Sequence, residues 1–336
     1  MSDVTATSTG HESGRKGMSE EWRARLTGSV ASISLTFIIV VAVGWFWVGP
    51  KFLSFSNVSI LGTFVIVPLV VGTFASVALL SGVVDLSIGS MVGLGSALFA
   101  TFIAAGWDPA SSAAVTLAIC LVFGGINALA IVGFGAQPIA ATLGSLVALR
   151  GISWVLVGQE GAIFAFNIDM FNLVGTTFLG LPALFLIAIG MALVAAFIVT
   201  KTQLGRHVQA VGGDDKAASR AGISVWKVRT GALLLSAFGA GLGGIIYAAQ
   251  LGSAARATGF GLEFEVYAAL MIGGYSILRG GVGNPIGGAL GLLAVAGVSN
   301  ILDLKAISPY FVDIIVGLLL LAAVLLDRLR GGDAFE

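Results

Sequence analysis

The sequence predicts an all-α integral membrane protein of about ten transmembrane helices, some of them broken, with both termini cytoplasmic. Three observations carry this. Of 336 residues, 57% are hydrophobic and 10% charged, against roughly 25% charged in soluble domains; mean hydropathy is +1.03. A soluble fold of this length has too little polar surface to hide that apolar content. Apolar runs recur at the length a bilayer demands, about 20 residues at a rise of 1.5 Å for roughly 30 Å of hydrocarbon. Glycine is abundant, 48 of 336 residues, and in lipid small residues let helix backbones approach closely.

These observations exclude a soluble enzyme, a disordered chain and a secreted disulfide scaffold. A net charge of zero leaves no basic excess for nucleic acid. Long unbroken runs replace the ten-residue alternation of an outer-membrane barrel. The single cysteine, Cys120, makes no intramolecular disulfide and no metal cluster, and the two histidines, His11 and His207, lie in polar segments.

Residues 1–28 read as a cytoplasmic tail, expected to be disordered. Its polar stretch is too long for a cleavable signal peptide. The membrane domain is expected over 29–327 and a cytoplasmic C-terminal tail over 328–336. The spans fall at 29–49, 57–80, 86–105, 111–133, 138–157, 180–200, 229–250, 264–278, 285–302 and 308–326. Trp45, Phe46 and Trp47 close the first, as interfacial aromatics do. The uncharged run from Phe52 to Val84 is too long for one straight span, and Pro68, Gly72 and Gly82 suggest that it is broken. With the termini inside, thirteen Lys and Arg fall on the cytoplasmic side, three outside and one, Arg150, within a span. This bias fits the positive-inside rule.

Two loops stand out. The outer loop, 158–179, carries Glu160 and Asp169 and could receive a partner. The inner loop, 201–228, contains Gly212, Gly213, Asp214, Asp215, Ala217, Ala218, Arg220 and Gly222. Asp at the start, alanines in the middle, Arg near the end and Gly at the stop are the grammar of a short helix. Two turns are marginal alone. Such a helix either packs against the bundle's own end or docks a cytoplasmic partner.

No Walker A lysine is present, so the chain does not hydrolyse ATP by that device. Gly239, Gly241 and Gly244 have dinucleotide-fingerprint spacing but sit in an apolar run, where helix packing is expected. Gly89 with Gly93, and Gly283 with Gly287 and Gly291, make small-residue stripes that suit helix contacts or a subunit interface.

Polar residues at membrane depth are costly and mark function. Asp85 and Ser87 open the third span, as helix caps or as part of a path. Asn127 lies within the fourth, as an interhelical hydrogen bond or a path residue. Gln137 precedes Pro138 at the start of the fifth. Arg150 is a charge inside an apolar span, flanked by Gly144 and Gly151; a salt bridge, a snorkelling side chain and a cavity lining are all open to it. Glu263 and Glu265 are its candidate partners.

Several motifs in register resemble one family. Asp85-Leu86-Ser87-Ile88-Gly89-Ser90 is similar to D-L-S-V-G-S, Gly125-Ile126-Asn127 to G-x-N, and Pro138 through Gly144 to P-F-I-A-T-L-G. Gly205-Arg206 and Gly212 through Ile223 resemble G-G-N-x-x-A-A-x-x-S-G-I with its lead. Glu263 through Ala269 with Gly273-Gly274 resembles E-L-D-A-I-A-A followed by G-G-T-S. From about Asn57 to Asp327 the chain therefore resembles the permease subunit of bacterial ABC importers for monosaccharides, the ribose, xylose, arabinose and galactose class of the branched binding-protein-dependent permeases. It departs at Tyr275 for Thr, Glu265 for Asp, Ala221 for Ser, at Arg279, and at the bulky Phe264, Val266 and Tyr267.

The resemblance implies a non-enzymatic inner-membrane transport subunit with no cofactor of its own. ATP and magnesium are expected in cytoplasmic ATPase subunits that bind the loop around Asp214–Gly222. A periplasmic sugar-binding protein would dock outside, and a second permease copy would pair around the path. Asp85, Ser87, Asn127, Gln137, Arg150 and Glu263 are the candidate path residues. The alternatives are a self-sufficient secondary transporter or channel, with Asp85, Arg150 and Asp313 as its candidate charges, and an intramembrane enzyme, which the histidine positions disfavour.

Overall fold

The computed structural model describes residue 34, residues 36–308 and residues 310–330. The expected N-terminal tail and residues 331–336 lie outside the described residues. The described chain is helical throughout the apolar runs: α1 (Thr36–Val48), α2 (Phe55–Leu80), α3 (Ile88–Ala104), α4 (Pro109–Ala128), α5 (Pro138–Val157), α6 (Ile168–Val174), α7 (Ala183–Lys201), α8 (Gln203–Gly213), α9 (Asp215–Arg220), α10 (Val225–Leu251), α11 (Leu262–Ile272), α12 (Pro285–Leu304) and α13 (Tyr310–Arg330). Nine of the ten expected spans each meet one apolar helix among the described residues; the eighth does not. Six spans, with α4 continuing to Gly133, are long and apolar enough to cross a membrane by length and composition.

Helix starts follow local chemistry. Asp108 caps α4, accepting from the N–H groups of Ala110 at 2.8 Å and Ser111 at 3.3 Å, and Pro109 follows where no N–H is needed. The Ser111 hydroxyl also donates to it and holds its carboxyl below the usual range. Asn284 caps α12 ahead of Pro285 in the same way. The end of α4 widens into a π turn over Leu129–Gly133.

Two expectations are corrected. Pro68 and Gly72 do not break the second run, because α2 is continuous over 26 residues. The break falls at its end, where Ser81 stops the helix and Gly82 turns at φ +81°. Residues 83–85 then run buried and without regular structure before α3 begins. The eighth span, 264–278, is not one crossing helix. α11 has 11 residues, about 17 Å at the α-helical rise. Gly273 and Gly274, the latter at φ +87°, end it, and the chain loops back to α12. Non-helical backbone at membrane depth is tolerable only inside protein; the first break is buried in the bundle, whereas the loop after α11 is exposed at Leu278, Arg279 and Val282.

The core is α10 packed against α2, α3 and α4. Gly239 faces Phe74, Gly241 faces Cys120, Gly243 faces Val71, and Gly244 faces the backbone of Val92 and Ser96. The dinucleotide-like glycines are therefore packing positions. α4, α5 and α7 leave most of their apolar surface uncovered.

The segments before α7 and after α10 add short strands that the all-α expectation did not include. β1 (Ala162–Phe164) pairs antiparallel with β4 (Ser253–Ala255), and β2 (Thr177–Phe178) with β3 (Leu181–Pro182). Leu179 and Gly180, both at positive φ, form the two-residue turn of the second pair.

Candidate functional site

The polar residues gather at the α2–α3 break. Asp85 is 2% exposed. Its Oδ1 accepts from the Ser87 hydroxyl at 2.5 Å and the Ser87 N–H at 3.1 Å; its Oδ2 accepts from the Ser236 hydroxyl at 2.7 Å. Ser236 lies near the middle of α10, so the carboxyl is deep in the bundle. The Asn127 amide donates to the Ser87 hydroxyl at 3.0 Å, and the Ser145 hydroxyl donates to Asn127 Oδ1. The Tyr267 hydroxyl accepts from the Asp85 N–H at 2.8 Å and donates to the Asp85 carbonyl at 3.0 Å.

One network thus ties the break to α4, α5, α10 and α11. A buried network of this kind is costly to disturb because each lost partner leaves a polar group without water. Ser87 stands at the N-cap position, yet its hydroxyl makes no capping bond because it donates to Asp85; of the two expected caps it is Asp85 that accepts from a free N–H, that of Ser87. Asp85 and Ser87 face the network rather than an open channel. Gln137 stands apart: it is exposed at the start of α5 and its side chain caps nothing.

Arg150 and Glu263 form a second element. Arg150 Nη2 lies 3.5 Å from Glu263 Oε1, with side-chain exposures of 18% and 2%. The guanidinium also sits 4.6 Å above the Phe260 ring, a cation–π contact. Glu263 Oε2 has no hydrogen-bond partner among the described residues and presses on Gly89. A Cβ at Gly89 would strike that carboxylate and the Gly259 carbonyl, and one at Gly93 would lie 2.7 Å from the Thr258 carbonyl. This stripe is spent on helix-to-loop contact within the chain. The other is too: Gly287 and Gly291 pack on the end of α11, while Gly283 lies outside α12 against the Tyr275 ring. The subunit-interface reading of both stripes is corrected.

The third element is cytoplasmic in the expected topology. Asp214 caps α9, accepting from the Ala217 N–H at 2.9 Å, and Gly222 at φ +84° ends it. Gly212 packs inward against Leu80 and Gly281, and Ala218 is buried. Gly213, Asp214, Ala217, Arg220 and Gly222 are exposed. Arg229 pairs with Asp215 at 3.1 Å and donates from Nε to the Ser81 carbonyl at 3.4 Å. The Gly281 N–H donates to the Leu80 carbonyl at 2.9 Å. Gly82, Gly212 and Gly280 meet backbone to backbone. Helix α8 is therefore joined directly to both breaks, the one leading to Asp85 and the one after α11, and α9 to the first of them through Arg229.

Ser236, Tyr267, Ser145 and Arg229 were not legible as partners. Tyr267 carried a signal only as a bulky departure. α8 was missed as well, although Thr202, which accepts from the Gly205 N–H at 3.4 Å, is a legible cap.

This architecture is that of a polytopic helical membrane protein, with a buried break after α2 tied through α8 and Arg229 to an exposed helix on one face. Over residues 56–324 the chain matches the family described as branched-chain amino acid transport system / permease component, and it belongs to that family. It is 30% identical over 296 residues to the D-allose transport system permease protein AlsC of Escherichia coli (strain K12), covering 87% of this chain and 90% of that one. It is 31% identical over 301 residues to the ribose import permease protein RbsC of Haemophilus influenzae, covering 88% and 92%. To the autoinducer 2 import system permease protein LsrC of Salmonella paratyphi B it is 33% identical over 257 residues, covering 76% and 74%. No solved structure matches the chain. The chain is a transmembrane permease component of a bacterial ABC-type import system, and as a multi-pass membrane protein it fits the inner membrane.

Proposed function

We propose that this permease imports a sugar, delivered from outside by a periplasmic sugar-binding protein and driven from inside by ABC ATPase subunits. The observation that carries the reading is the similarity, along most of the chain, to import permeases named for D-allose, ribose and autoinducer 2. The chain is the permease component of an ABC-type sugar-import system. It binds no cofactor; ATP and magnesium belong to the ATPase.

In this reading the permease domain, 29–327, crosses the membrane ten times with both tails, 1–28 and 328–336, in the cytoplasm. The bias of Lys and Arg toward that side supports it. The loop 201–228 couples to the ATPase. Its exposed residues Gly213, Asp214, Ala217, Arg220 and Gly222 meet the partner, with Asp215 beside them, while Gly212 and Ala218 pass the motion inward. The outer ridge of β1, β4, α6 and the β2–β3 turn receives the binding protein.

A second copy pairs along the open face of α5. Gly144, Val147, Gly151 and Val155 are exposed there, and no described residue lies within 4 Å of a Cβ at either glycine. Close-packing stripes of this kind are how helices associate in lipid. The path runs by this face, past Gln137 inside and Arg150 with Glu263 outside. The network of Asp85, Ser87 and Asn127 holds the break shut in this conformation. ATP-driven motion of α9 pulls on it through Arg229 and the glycine junction. Such a switch needs partners that bind its two states with different affinity.

Affinity purification of the full chain from mild detergent, with mass spectrometry, tests the reading. Recovery of an ABC ATPase is expected. Reproducible recovery of the crosslinked chain without any ATPase would overturn it.

A further inference from the structure

On the expected outer side, α2, α10, the 257–265 segment and α12 enclose a cleft of about 560 Å³. This lies within the roughly 300–1,000 Å³ of small-ligand sites. None of its lining residues belongs to the Asp85 network, while Gly259, across Gly89 from Glu263, and Phe260, under the guanidinium, join it to the Arg150 pair. Its lining is mixed in a particular way. Glu265 and Asp303 bring carboxyl groups, Gln250 and Asn300 bring amides, and Tyr247 and Phe64 bring ring surface.

The wall is also cut open for polar contact. Pro68 lines the cleft and has no N–H, so the Phe64 carbonyl one turn earlier loses its helical donor. The next carbonyl back, Thr63, accepts from the Gln250 amide at 3.3 Å. Asn300 is fixed by a reciprocal pair with Asn57, at 2.8 and 3.1 Å. Part of the polar lining is therefore held in place before anything binds.

We propose that this cleft is a cargo-selecting subsite that admits a neutral polyhydroxylated ring and turns away anionic solutes. The proposal rests on the sugar-importer reading and deepens it. A sugar presents hydroxyl donors around its rim and apolar C–H faces. Carboxyl and amide oxygens accept from the rim, and the aromatic side chains cover the faces. A phosphate or carboxylate on the cargo would instead face Asp303 and Glu265 without a basic side chain among the lining residues. Selection is then exercised twice, by the binding protein and by the permease.

Saturation-transfer NMR on the full chain in nanodiscs tests this, because the method detects weak, rapidly exchanging ligands. The probes are D-ribose, D-glucose and D-galactose as neutral sugars, and D-galacturonate and D-glucose 6-phosphate as anionic ones. Transfer to at least one neutral sugar is expected, with none to the anionic pair. Affinity should fall about tenfold in Gln250→Leu and again in Glu265→Gln, as each removes a polar contact. Gln250 is half-buried at the rim, so its replacement does not disturb the core. No transfer to any neutral sugar, equal transfer to anionic sugars, or unchanged affinity in both variants would overturn the proposal. A chain that recruits an ATPase but shows none of these effects loses the subsite alone. One that binds neutral sugars without recruiting an ATPase loses the importer reading.

Discussion

Gly212→Ala tests the glycine junction that joins the exposed cytoplasmic helices to the two breaks. A Cβ at this position would lie 2.5 Å from the Gly281 nitrogen and 2.9 Å from the Leu80 carbonyl carbon. Both belong to backbone, and they carry the hydrogen bond from the Gly281 N–H to the Leu80 carbonyl. No side chain can rotate out of the way. Overpacking of this kind costs about 1–3 kcal/mol, and losing the buried bond adds about 1–3 kcal/mol. Alanine returns up to about 1 kcal/mol because Gly212 is within α8 and glycine is a poor helix former. The net expectation is a loss of about 1–6 kcal/mol, concentrated where α8, the α2–α3 break and the α11–α12 loop meet. The assay is paired: melting of the purified chain by tryptophan fluorescence, and cargo taken up per ATP hydrolysed by the reconstituted complex. Gly212→Ala should lower both. Gly213→Ala is the control, since nothing lies within 4 Å of a Cβ there, and its melting should match or exceed the wild type. Wild-type melting and coupling in Gly212→Ala would refute the junction.

Other perturbations separate the remaining elements. Asp85→Ala leaves the Ser87 N–H without an acceptor, a loss of about 1–3 kcal/mol, whereas Asp85→Asn keeps the Oδ1 acceptor; the alanine variant should melt lower, and equal melting would contradict the network. Tyr267→Phe orphans the Asp85 N–H and should cost about 1–3 kcal/mol, read by the same melting curve against an unchanged one. The Arg229–Asp215 pair is partly exposed, 26% and 41%, and such pairs contribute about 0–1 kcal/mol. Reversal of either charge should therefore spare stability and reduce uptake per ATP, with recovery in the Asp215→Arg, Arg229→Asp double variant; no recovery would remove the pair from the coupling route. Arg150→Ala strands the buried Glu263, and since Arg150 is partly exposed the loss should fall toward the low end of the roughly 3–5 kcal/mol for a broken buried pair; Glu263→Gln in the same chain should restore melting, and failure to do so would count against the pairing.

The apolar runs were legible because the bilayer imposes a length and a composition that few residues can disguise. The start and stop of α9 were legible too: Asp214 and Gly222 act through local backbone chemistry that needs no distant partner. The behaviour of Pro68 was not. A proline costs one hydrogen bond, and whether the helix continues depends on how its neighbours support the freed carbonyl, which the sequence does not state. Glycine spacing misled for a related reason. Gly283, Gly287 and Gly291 fit one stripe on paper, but Gly283 falls before the helix cap Asn284 and serves a loop. At the candidate site, Asp85, Ser87 and Asn127 were singled out by polarity at depth, and the Arg150–Glu263 pair by charge. Their partners Ser236 and Tyr267 lie 151 and 182 residues from Asp85. A serine or tyrosine in an apolar helix has no local mark of such a contact.

The most direct test of the account is uptake into proteoliposomes of a panel of radiolabelled neutral monosaccharides. Vesicles would hold this chain alone, or the chain with the ATPase that co-purifies with it and the matching binding protein. The account predicts uptake of at least one sugar that requires both partners and ATP on the ATPase side, with none by the chain alone under an ion gradient. Equal, ATP-independent uptake by the chain alone would contradict it.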